Sequence, residues 1–467
     1  MKRSSPPILV AILLLISWAS SSNAQSGLPY SLDQCISYGV RNSKNIKNVK
    51  FDKYLAQKQV NEFKGIGLPQ ITGNAGFQQY GDFPVSLIDI STFPGAGTLP
   101  DGLPDSIRFA TARFGVKYNA SVGGQISQLL FDGSFFVGLK AAKAFVDLSE
   151  INVQRTEIET AVNITKAYYS ALVNEERAQL LTTNLSRMED LLHNTEALFK
   201  EGFVEKIDVD RLRINRNNLK SEKMKVERMV SLGYDMLKFQ MGMPINQDIT
   251  LTERITDKDE LPTLETLVMD GNFHENRIEM RLMEEQIHLQ ELNITRNRAG
   301  LFGSLVAFGN FSYQTNRPRF FELNLNKTWF PNSLMGLSYN VTIFDGLQKR
   351  ARVQTGQIEI AKVKNQMDMF EQSVQLELRS ASTSVINTWT DVEMARENKV
   401  LGEEVYRVAT TKYSEGVGSN LEVLDAEKSL LDAQINYLSA LYSYVLANVE
   451  LKRVKGEFKP LSTTSDK

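Results

Sequence analysis

The 467-residue sequence has little of what several protein classes depend on. Its single cysteine, Cys35, excludes an internal disulfide framework and is expected to be a small apolar helix residue. The formal charge of −2 gives no sign of a nucleic-acid partner. No helical His-Glu-x-x-His pair, phosphate-binding glycine loop or nucleophile elbow occurs, so we expect no enzyme activity, no cofactor and no metal site.

Long apolar runs are also missing. The only candidate, Ile8 to Trp18, is too short to cross a bilayer, which needs about 20 residues. This run follows Lys2 and Arg3 and precedes Ser22-Asn23-Ala24, which is the pattern of a secretory signal peptide. The sequence therefore predicts a signal peptide over residues 1–24 and an exported protein.

What the chain does contain is an internal repeat. Phe131-Asp132-Gly133 recurs as Phe344-Asp345-Gly346, 213 residues later. The stretch from Phe199 to Gly202 matches Tyr413 to Gly416, 214 residues later. Two matches at nearly one spacing indicate a tandem duplication.

Each repeat has the pattern of a helix, two strands, a very long helix, a tight turn and a further helix. The first repeat is predicted over 25–245, with strands at about 69–83 and 110–130 and helices at about 132–200 and 206–242. A linker over 246–262 precedes the second repeat, 263–457. Its strands are predicted at about 303–316 and 333–344, its helices at about 346–413 and 420–456, and a tail over 458–467 follows.

The strand predictions rest on alternation with a period of two residues. In the last strand Met335, Leu337, Tyr339, Val341 and Ile343 alternate with small or polar residues. One face of each strand is therefore apolar and the other polar. The loop from Phe83 to Ile107, rich in Pro and Asp, is predicted to lie on the surface.

The two longest predicted helices contain no proline and few glycines. At 1.5 Å per residue each would extend on the order of 100 Å. Apolar residues spaced three and four apart indicate side-by-side helix packing. In the first helix these stripes, called seams below, comprise Ile158, Ala161, Thr165, Tyr168 and Leu172, and then Leu181, Leu185, Met188, Leu192, Thr195 and Phe199. In the second helix the seam comprises Val363, Met367, Phe370, Val374, Leu378, Ala381 and Val385.

Four amphipathic strands of about 10 residues suit an outer-membrane barrel, because a closed barrel pairs every backbone group in lipid. Four strands cannot close one, since known single-chain barrels have at least about 8. Two copies would give a barrel filled by side chains, whereas three give twelve strands and an aqueous lumen. We therefore expect a mainly α chain with a β-barrel part, assembled as a homotrimer in the outer membrane with a long helical barrel in the periplasm.

The chain resembles the TolC-like outer membrane efflux proteins over roughly residues 30–457. The resemblance rests on Leu68-Pro69 before the first strand, on Phe-Asp-Gly at both strand-to-helix junctions, and on residues at the distal turn. Those are Tyr413, Gly416, Ser419, Leu421, Val423, Leu424 and Ala426. It implies a trimeric twelve-stranded barrel continuous with a periplasmic helical channel, working with a periplasmic adaptor protein and an inner-membrane pump.

The resemblance also implies a gate near the distal turns. Glu422 and Asp425 lie where family members carry acidic rings around the pore, and Asp208 and Tyr413 lie where members form latch contacts. Gly418 departs from the pattern, because some members have a basic residue there that pairs with the acid at the position of Asp208. For Glu422 and Asp425 the alternative is a solvated helix start, where acidic residues suit the helix dipole.

Other site residues are expected at the turns and junctions. Gly202 and Gly416 are predicted to end their helices with positive φ, and the resemblance makes Gly416, Val417 and Ser419 candidates for adaptor docking. Phe131, Asp132, Gly133, Phe344, Asp345 and Gly346 are predicted to mark the barrel-to-channel junction, with each Asp capping the next helix.

We therefore expect a passive, gated exit duct for small molecules, placed in the cell outer membrane. Two alternatives stay open. The same duct could serve type I protein secretion, which differs only in its partners. From another class, an exported coiled-coil structural or adhesion protein would use the alternating strands as a soluble sheet.

Overall fold

The computed structural model describes residues 28–82, 85–89, 109–113, 115–255, 273–320 and 329–460. The predicted signal peptide, most of the predicted loop from Phe83 to Ile107, residues 256–272 and the chain after 460 lie outside the described residues. The start of the predicted second repeat lies within 256–272 and falls outside with them.

The described residues contain seven α-helices, eight strands and two short 3-10 helices, Phe273–Asn276 and Gly300–Phe302. The strands are β1 (Leu28–Tyr30), β2 (Gln70–Gln79), β3 (Val85–Asp89), β4 (Phe109–Arg113), β5 (Tyr118–Asp132), β6 (Ile249–Leu251), β7 (Ser304–Arg317) and β8 (Phe330–Asn340). The helices are α1 (Leu32–Asn42), α2 (Lys44–Ile66), α3 (Gly133–Lys200), α4 (Lys206–Met241), α5 (Ile278–Ala299), α6 (Gln348–Ser414) and α7 (Asn420–Val454).

The two proline-free stretches each form one continuous helix, α3 with 68 residues and α6 with 67. Such lengths need lateral packing, because helix propensity alone does not stabilise a helix in water. In the part of the chain that the structure describes, no helix has both the length and the apolar character required to cross a membrane.

One compact unit comprises the described parts of 28–54, 147–285 and 363–460. It is built on helix seams: Tyr168, Leu181 and Val385 are fully buried, as the periodicity predicts, whereas Phe199 at the end of the first seam is 42% exposed. Cys35 is buried between α1, α3 and α4, in agreement with its expected role as a core residue. A second seam joins α6 to α7, where the rings of Trp389 and Tyr444 lie 5.0 Å apart.

The other unit comprises the described parts of 55–146 and 286–362, and it contains the main sheet. Its strand order is β2-β5-β7-β8, and every neighbouring pair is antiparallel. The longest ladder joins β5 to β7, from Tyr118 opposite Arg317 to Asp132 opposite Ser304. A register shift between Leu129 and Phe131 interrupts this ladder close to its end.

The ladders place most apolar side chains of the four strands on one face, since successive residues of a strand point to opposite sides. For example, Val122 lies opposite Ala75 on one neighbour and Tyr313 on the other. This apolar face carries Ile71, Ala75, Phe77, Ala120, Val122, Ile126, Phe311, Tyr313, Met335, Leu337 and Tyr339.

The opposite face is mostly polar. It carries Thr72, Asn74, Gln78, Asn119, Ser121, Gln125, Ser127, Asn310, Ser312, Gln314, Asn332, Ser338 and Asn340, interrupted by Leu129, Val306, Phe308, Phe330 and Leu334. The sheet therefore separates an apolar surface from a polar one, as the alternation predicts.

Two strand predictions need correction. The strand predicted over about 110–130 is divided, because Gly115 adopts φ +134°, a conformation outside the strand region. Its first part, β4, pairs with β3 in a separate two-stranded sheet, and β3 lies within the segment predicted as a loop. The strand predicted over 333–344 starts earlier and ends at Asn340, so Val341 and Ile343 lie beyond it.

The burial of each valine side chain on α6 predicts how much its replacement by alanine lowers the stability of the protein. Val392 is fully buried in the cluster with α7, whereas Val400 on the same helix is 59% exposed. We expect Val392→Ala to lower the stability by roughly 2 kcal/mol through the cavity it leaves, and Val400→Ala to change it by less than about 0.5 kcal/mol. Thermal unfolding of the two purified variants, followed by circular dichroism, measures the difference; equal losses would contradict the assigned seam.

Candidate functional site

The first candidate turn follows helix α3. Gly202 has φ +79°, its N–H donates to Phe199 O at 3.0 Å, and the Phe203 N–H donates to Leu198 O at 2.9 Å. This pair of bonds is a Schellman motif, which satisfies carbonyls left over at a helix end. Glycine suits the left-handed position because a side chain there would be strained.

Helix α6 ends in the same way. Gly416 has φ +74°, its N–H donates to Tyr413 O at 3.1 Å, and the Val417 N–H donates to Lys412 O at 3.0 Å. The Val417 side chain is 80% exposed, so the turn presents an apolar group to its surroundings. Both predicted turn glycines therefore have the positive φ expected of them.

The two helices that follow the turns begin differently. Ser419 caps α7, because its hydroxyl accepts from the Glu422 N–H at 3.2 Å. Glu205 stands at the matching position before α4 and makes no side-chain cap bond. Glu422 thus lies at the third position of α7, where a carboxylate is favoured by the helix dipole.

Glu422 and Asp425 share one exposed face, as their spacing predicts. They line a groove of about 480 Å³ between α6 and α7, whose floor includes Ala409 and Ala426. Glu404 and Lys412 stand on the α6 side. The groove therefore carries three carboxylates and one ammonium group over an apolar floor.

The two predicted latch residues, Tyr413 and Asp208, contact different residues and connect different pairs of helices. The Tyr413 hydroxyl lies 3.2 Å from Oγ1 of the buried Thr195, which joins α6 to α3. The backbone oxygen of Asp208 accepts from Asn420 Nδ2 at 3.1 Å, which joins α4 to α7. In the part of the chain that the structure describes, Tyr413 and Asp208 form no hydrogen bond with each other.

Gly418 packs against the end of α6. A Cβ atom at this position would stand 2.9 Å from the Lys412 Cβ and 3.0 Å from the Tyr413 backbone nitrogen, and the Gly418 N–H donates to Lys412 O at 3.0 Å. A larger residue here would displace the last turn of α6. The structure therefore favours glycine at this position.

The two strand-to-helix junctions also differ, although both contain Phe-Asp-Gly. At the first, β5 passes directly into α3, and Asp132 Oδ1 accepts from the Phe135 N–H at 3.0 Å and from the Ser134 hydroxyl at 2.6 Å. The position where a Gly133 Cβ would stand is 2.7 Å from Ala299 O, so α5 approaches this point closely. The register shift in β5 also brings Phe131 opposite Leu305, onto the apolar face of the sheet.

At the second junction seven residues separate β8 from α6. Gly346 and Leu347 both have positive φ, +66° and +67°, so the chain turns at two successive residues. Asp345 Oδ2 then accepts from the Lys349 N–H at 3.0 Å. Phe344 is 77% exposed.

One buried acid near the turns was not singled out from the sequence. Glu427 on α7 is 4% exposed, and the Arg187 Nη2 of α3 lies 3.7 Å from its Oε1. Burial raises the pKa of the Glu427 carboxyl, while the Arg187 guanidinium and the Tyr406 hydroxyl oppose that rise. The signal was present in the sequence, since Glu427 occupies the same helical stripe as the buried Val423 and Leu430.

Comparisons with known proteins point to one family. The profile of the outer membrane efflux protein family matches residues 272–457. The outer membrane protein TolC of Salmonella enteritidis is 20% identical over 357 residues, which cover 73% of this chain and 70% of that protein. The toluene efflux pump outer membrane protein TtgC of Pseudomonas putida is 21% identical over 346 residues, covering 73% and 69%.

Solved structures agree in fold. The CmeC outer membrane channel of Campylobacter jejuni superposes with a TM-score of 0.67 at 15% identity, covering 92% of this chain and 86% of that one. CusC gives a TM-score of 0.66 at 15% identity, with coverage of 94% and 95%. At this identity the likeness establishes the fold.

Helix α7 has a side-chain cap at its start and helix α4 has none, so two substitutions should change stability in opposite directions. Ser419→Ala removes the side-chain cap of α7 and should cost about 1 kcal/mol, whereas Glu205→Ser supplies one to α4 and should gain a few tenths to about 1 kcal/mol. The apparent unfolding temperature of each purified variant tests this. A gain for both substitutions, or a loss for both, would show that the caps do not control these helix ends.

Proposed function

Because this chain belongs to the TolC-like family of outer membrane efflux proteins, we propose that it is the outer-membrane exit duct of an efflux system. It lies in the cell outer membrane, and its helical part is periplasmic. The members it resembles are channels rather than enzymes. The observation that best supports the proposal is the main sheet, which has one apolar face and one mostly polar face and, among the described strands, two edge strands with a single neighbour each.

The open edges support a homotrimer. Among the described strands, β2 and β8 each have one hydrogen-bonded neighbour, so each presents a row of unpaired backbone groups. In lipid such groups must be paired, and β2 and β8 run in opposite directions, so β8 of one copy fits β2 of the next in antiparallel fashion. Three copies would form a twelve-stranded barrel with its polar face toward the lumen.

Exposed apolar residues on the helices support lateral packing between copies. On α4, Met229, Leu232, Met236 and Phe239 are 50%, 69%, 53% and 67% exposed and follow steps of three and four residues. On α6, Met394, Leu401, Val405 and Val408 form a second such stripe. Stripes with this spacing are the surfaces by which helices pack side by side.

The proposed state can be tested by fractionation. Expressed with its signal peptide, the protein should enter the outer membrane, require detergent for extraction, run on gels as a trimer that heating converts to a monomer, and conduct ions in planar bilayers. A product that stays soluble without detergent and migrates only as a monomer would overturn the duct and favour the structural-protein alternative.

The proposed gate lies at the end of the channel that carries Gly202 and Gly416. In a trimer Glu422 and Asp425 would place six carboxylates around the pore, where they attract cations. Tyr413 is proposed to hold neighbouring helices in the closed state, and Asp208 occupies the second position at which family members form a latch contact. The Tyr413 to Thr195 contact supports this role for Tyr413, whereas the glycine at 418 leaves the Asp208 carboxylate without the basic partner found in some members.

Charge removal tests the acidic ring. We expect Glu422→Gln combined with Asp425→Asn to lower the preference for cations over anions, because the focused negative potential is lost. Reversal potentials across a salt gradient in planar bilayers measure this preference. Asp208→Ala is the comparison variant and should leave conductance nearly unchanged; a large rise in its conductance would show an intact latch at Asp208.

Partners follow from the proposed duct. The exposed turn formed by Gly416, Val417 and Ser419 is the proposed docking point for a periplasmic adaptor protein, which would connect the duct to an inner-membrane pump. A duct of this kind can serve small-molecule efflux or type I protein secretion. Cross-linking at Val417 followed by identification of the captured adaptor distinguishes the two.

A further inference from the structure

A set of polar side chains joins three helices behind the two turns, three of them buried and two, Arg187 and Tyr406, half-buried. Asn184 and Arg187 lie on α3, Tyr406 on α6, and Glu427 and Gln434 on α7. Asn184, Glu427 and Gln434 are 0%, 4% and 8% exposed, although their surroundings include the apolar cluster of Leu181, Met188 and Leu424. Polar groups buried among apolar ones cost free energy unless partners satisfy them.

The contacts form two levels between α3 and α7. At the first, Arg187 Nη2 lies 3.7 Å from Glu427 Oε1, and the guanidinium lies 5.2 Å from the centre of the Tyr406 ring. At the second, Asn184 Nδ2 donates to Gln434 Oε1 at 3.2 Å. Arg187 also donates to Asn184 Oδ1, which connects the two levels.

This ion pair contributes little to stability, because desolvating two charges offsets much of their attraction. Its structural effect is specific. An apolar seam tolerates small slips between helices, but a carboxylate that moves away from its one guanidinium partner at this depth becomes a buried unpaired charge. The pair therefore favours one relative position of α3, α6 and α7 over its neighbours.

The position of the pair matters for the proposed gate. Tyr406 and Glu427 lie seven or eight residues from the turn between α6 and α7, which is roughly 10 to 12 Å along a helix. A movement that separates α3 from α6 and α7 at this level must part Arg187 from Glu427. Nearer the turns, the Tyr413 hydroxyl contacts Thr195 of α3, and Asn420 of α7 donates to the backbone oxygen of Asp208 on α4.

We infer that Arg187 and Glu427 are positioning residues of the gate, an internal tie that holds the turn-bearing ends of the helices in the closed arrangement. The inference rests on the proposed duct function. It adds an element inside the helix packing, separate from the exposed acids that face the groove. Tyr406 supports the tie by stacking beneath the guanidinium.

Bilayer recordings of the purified trimer test the tie. Glu427→Gln should raise the fraction of time spent open by roughly tenfold, since it leaves the Arg187 charge without its partner. Arg187→Gln should act in the same direction and fold more readily, because Glu427 can then take up a proton and stay neutral. The exchanged pair, Arg187→Glu with Glu427→Arg, should return the open fraction toward that of the wild type.

Glu196→Gln is the matched control. Glu196 on α3 pairs with Arg213 on α4 at 2.8 Å, so it also joins two helices near the turns, but this pair is exposed and its removal should leave gating unchanged. Heat resistance of each trimer is measured in parallel, because a merely structural role would lower heat resistance without changing the open fraction.

The outcomes separate the two proposals. A wild-type trimer that conducts, together with Glu427→Gln and Arg187→Gln variants whose open fraction equals the wild-type value, overturns the tie and leaves the duct standing. A wild-type protein that forms no trimer and no channel overturns the duct itself. If the Glu427→Gln variant does not assemble, the open fraction of the Arg187→Gln variant by itself decides whether the tie holds the gate closed.

Discussion

The antiparallel ladder between β5 and β7 is the contact on which the arrangement of the sheet unit depends. It joins the two halves of the chain through paired residues from Tyr118 to Asp132, so it sets which side chains share a face in all four strands. Because side chains alternate along a strand, a slip by one residue would move the apolar set to the opposite face. The register shift near Leu129 then turns Phe131 to the apolar side just before helix α3 begins.

Two kinds of contact pack the helices of the helical unit together, one apolar and one partly polar. Where α6 packs on α7 around Tyr444, the buried cluster is apolar, and its free energy comes from the area removed from water. Nearer the turns the seam contains Arg187, Glu427 and Asn184, which gain specificity of position at the cost of desolvation.

The two copies of the Phe-Asp-Gly motif show how far local sequence determines local structure. Both aspartates accept hydrogen bonds from the start of the next helix, because a carboxylate suits the unpaired N–H groups there. Yet one strand continues directly into its helix, whereas the other ends seven residues before it, with two residues of positive φ between. The two junctions also differ in crowding. At the first, Ala299 lies so close to Gly133 that no side chain would fit there.

Sequence periodicity alone determined the long helices, the two-faced strands, the glycine turns at 202 and 416, and the acids on one face of α7, because each depends on neighbours within a few residues. The division of the strand at Gly115 and the end of β8 at Asn340 depended on pairing with distant strands, which alternation does not encode. Only the tertiary structure placed the Tyr413 hydroxyl beside Thr195 and brought Arg187 to Glu427. Those contacts join residues more than 200 positions apart, and the packing of three helices decides which side chains meet.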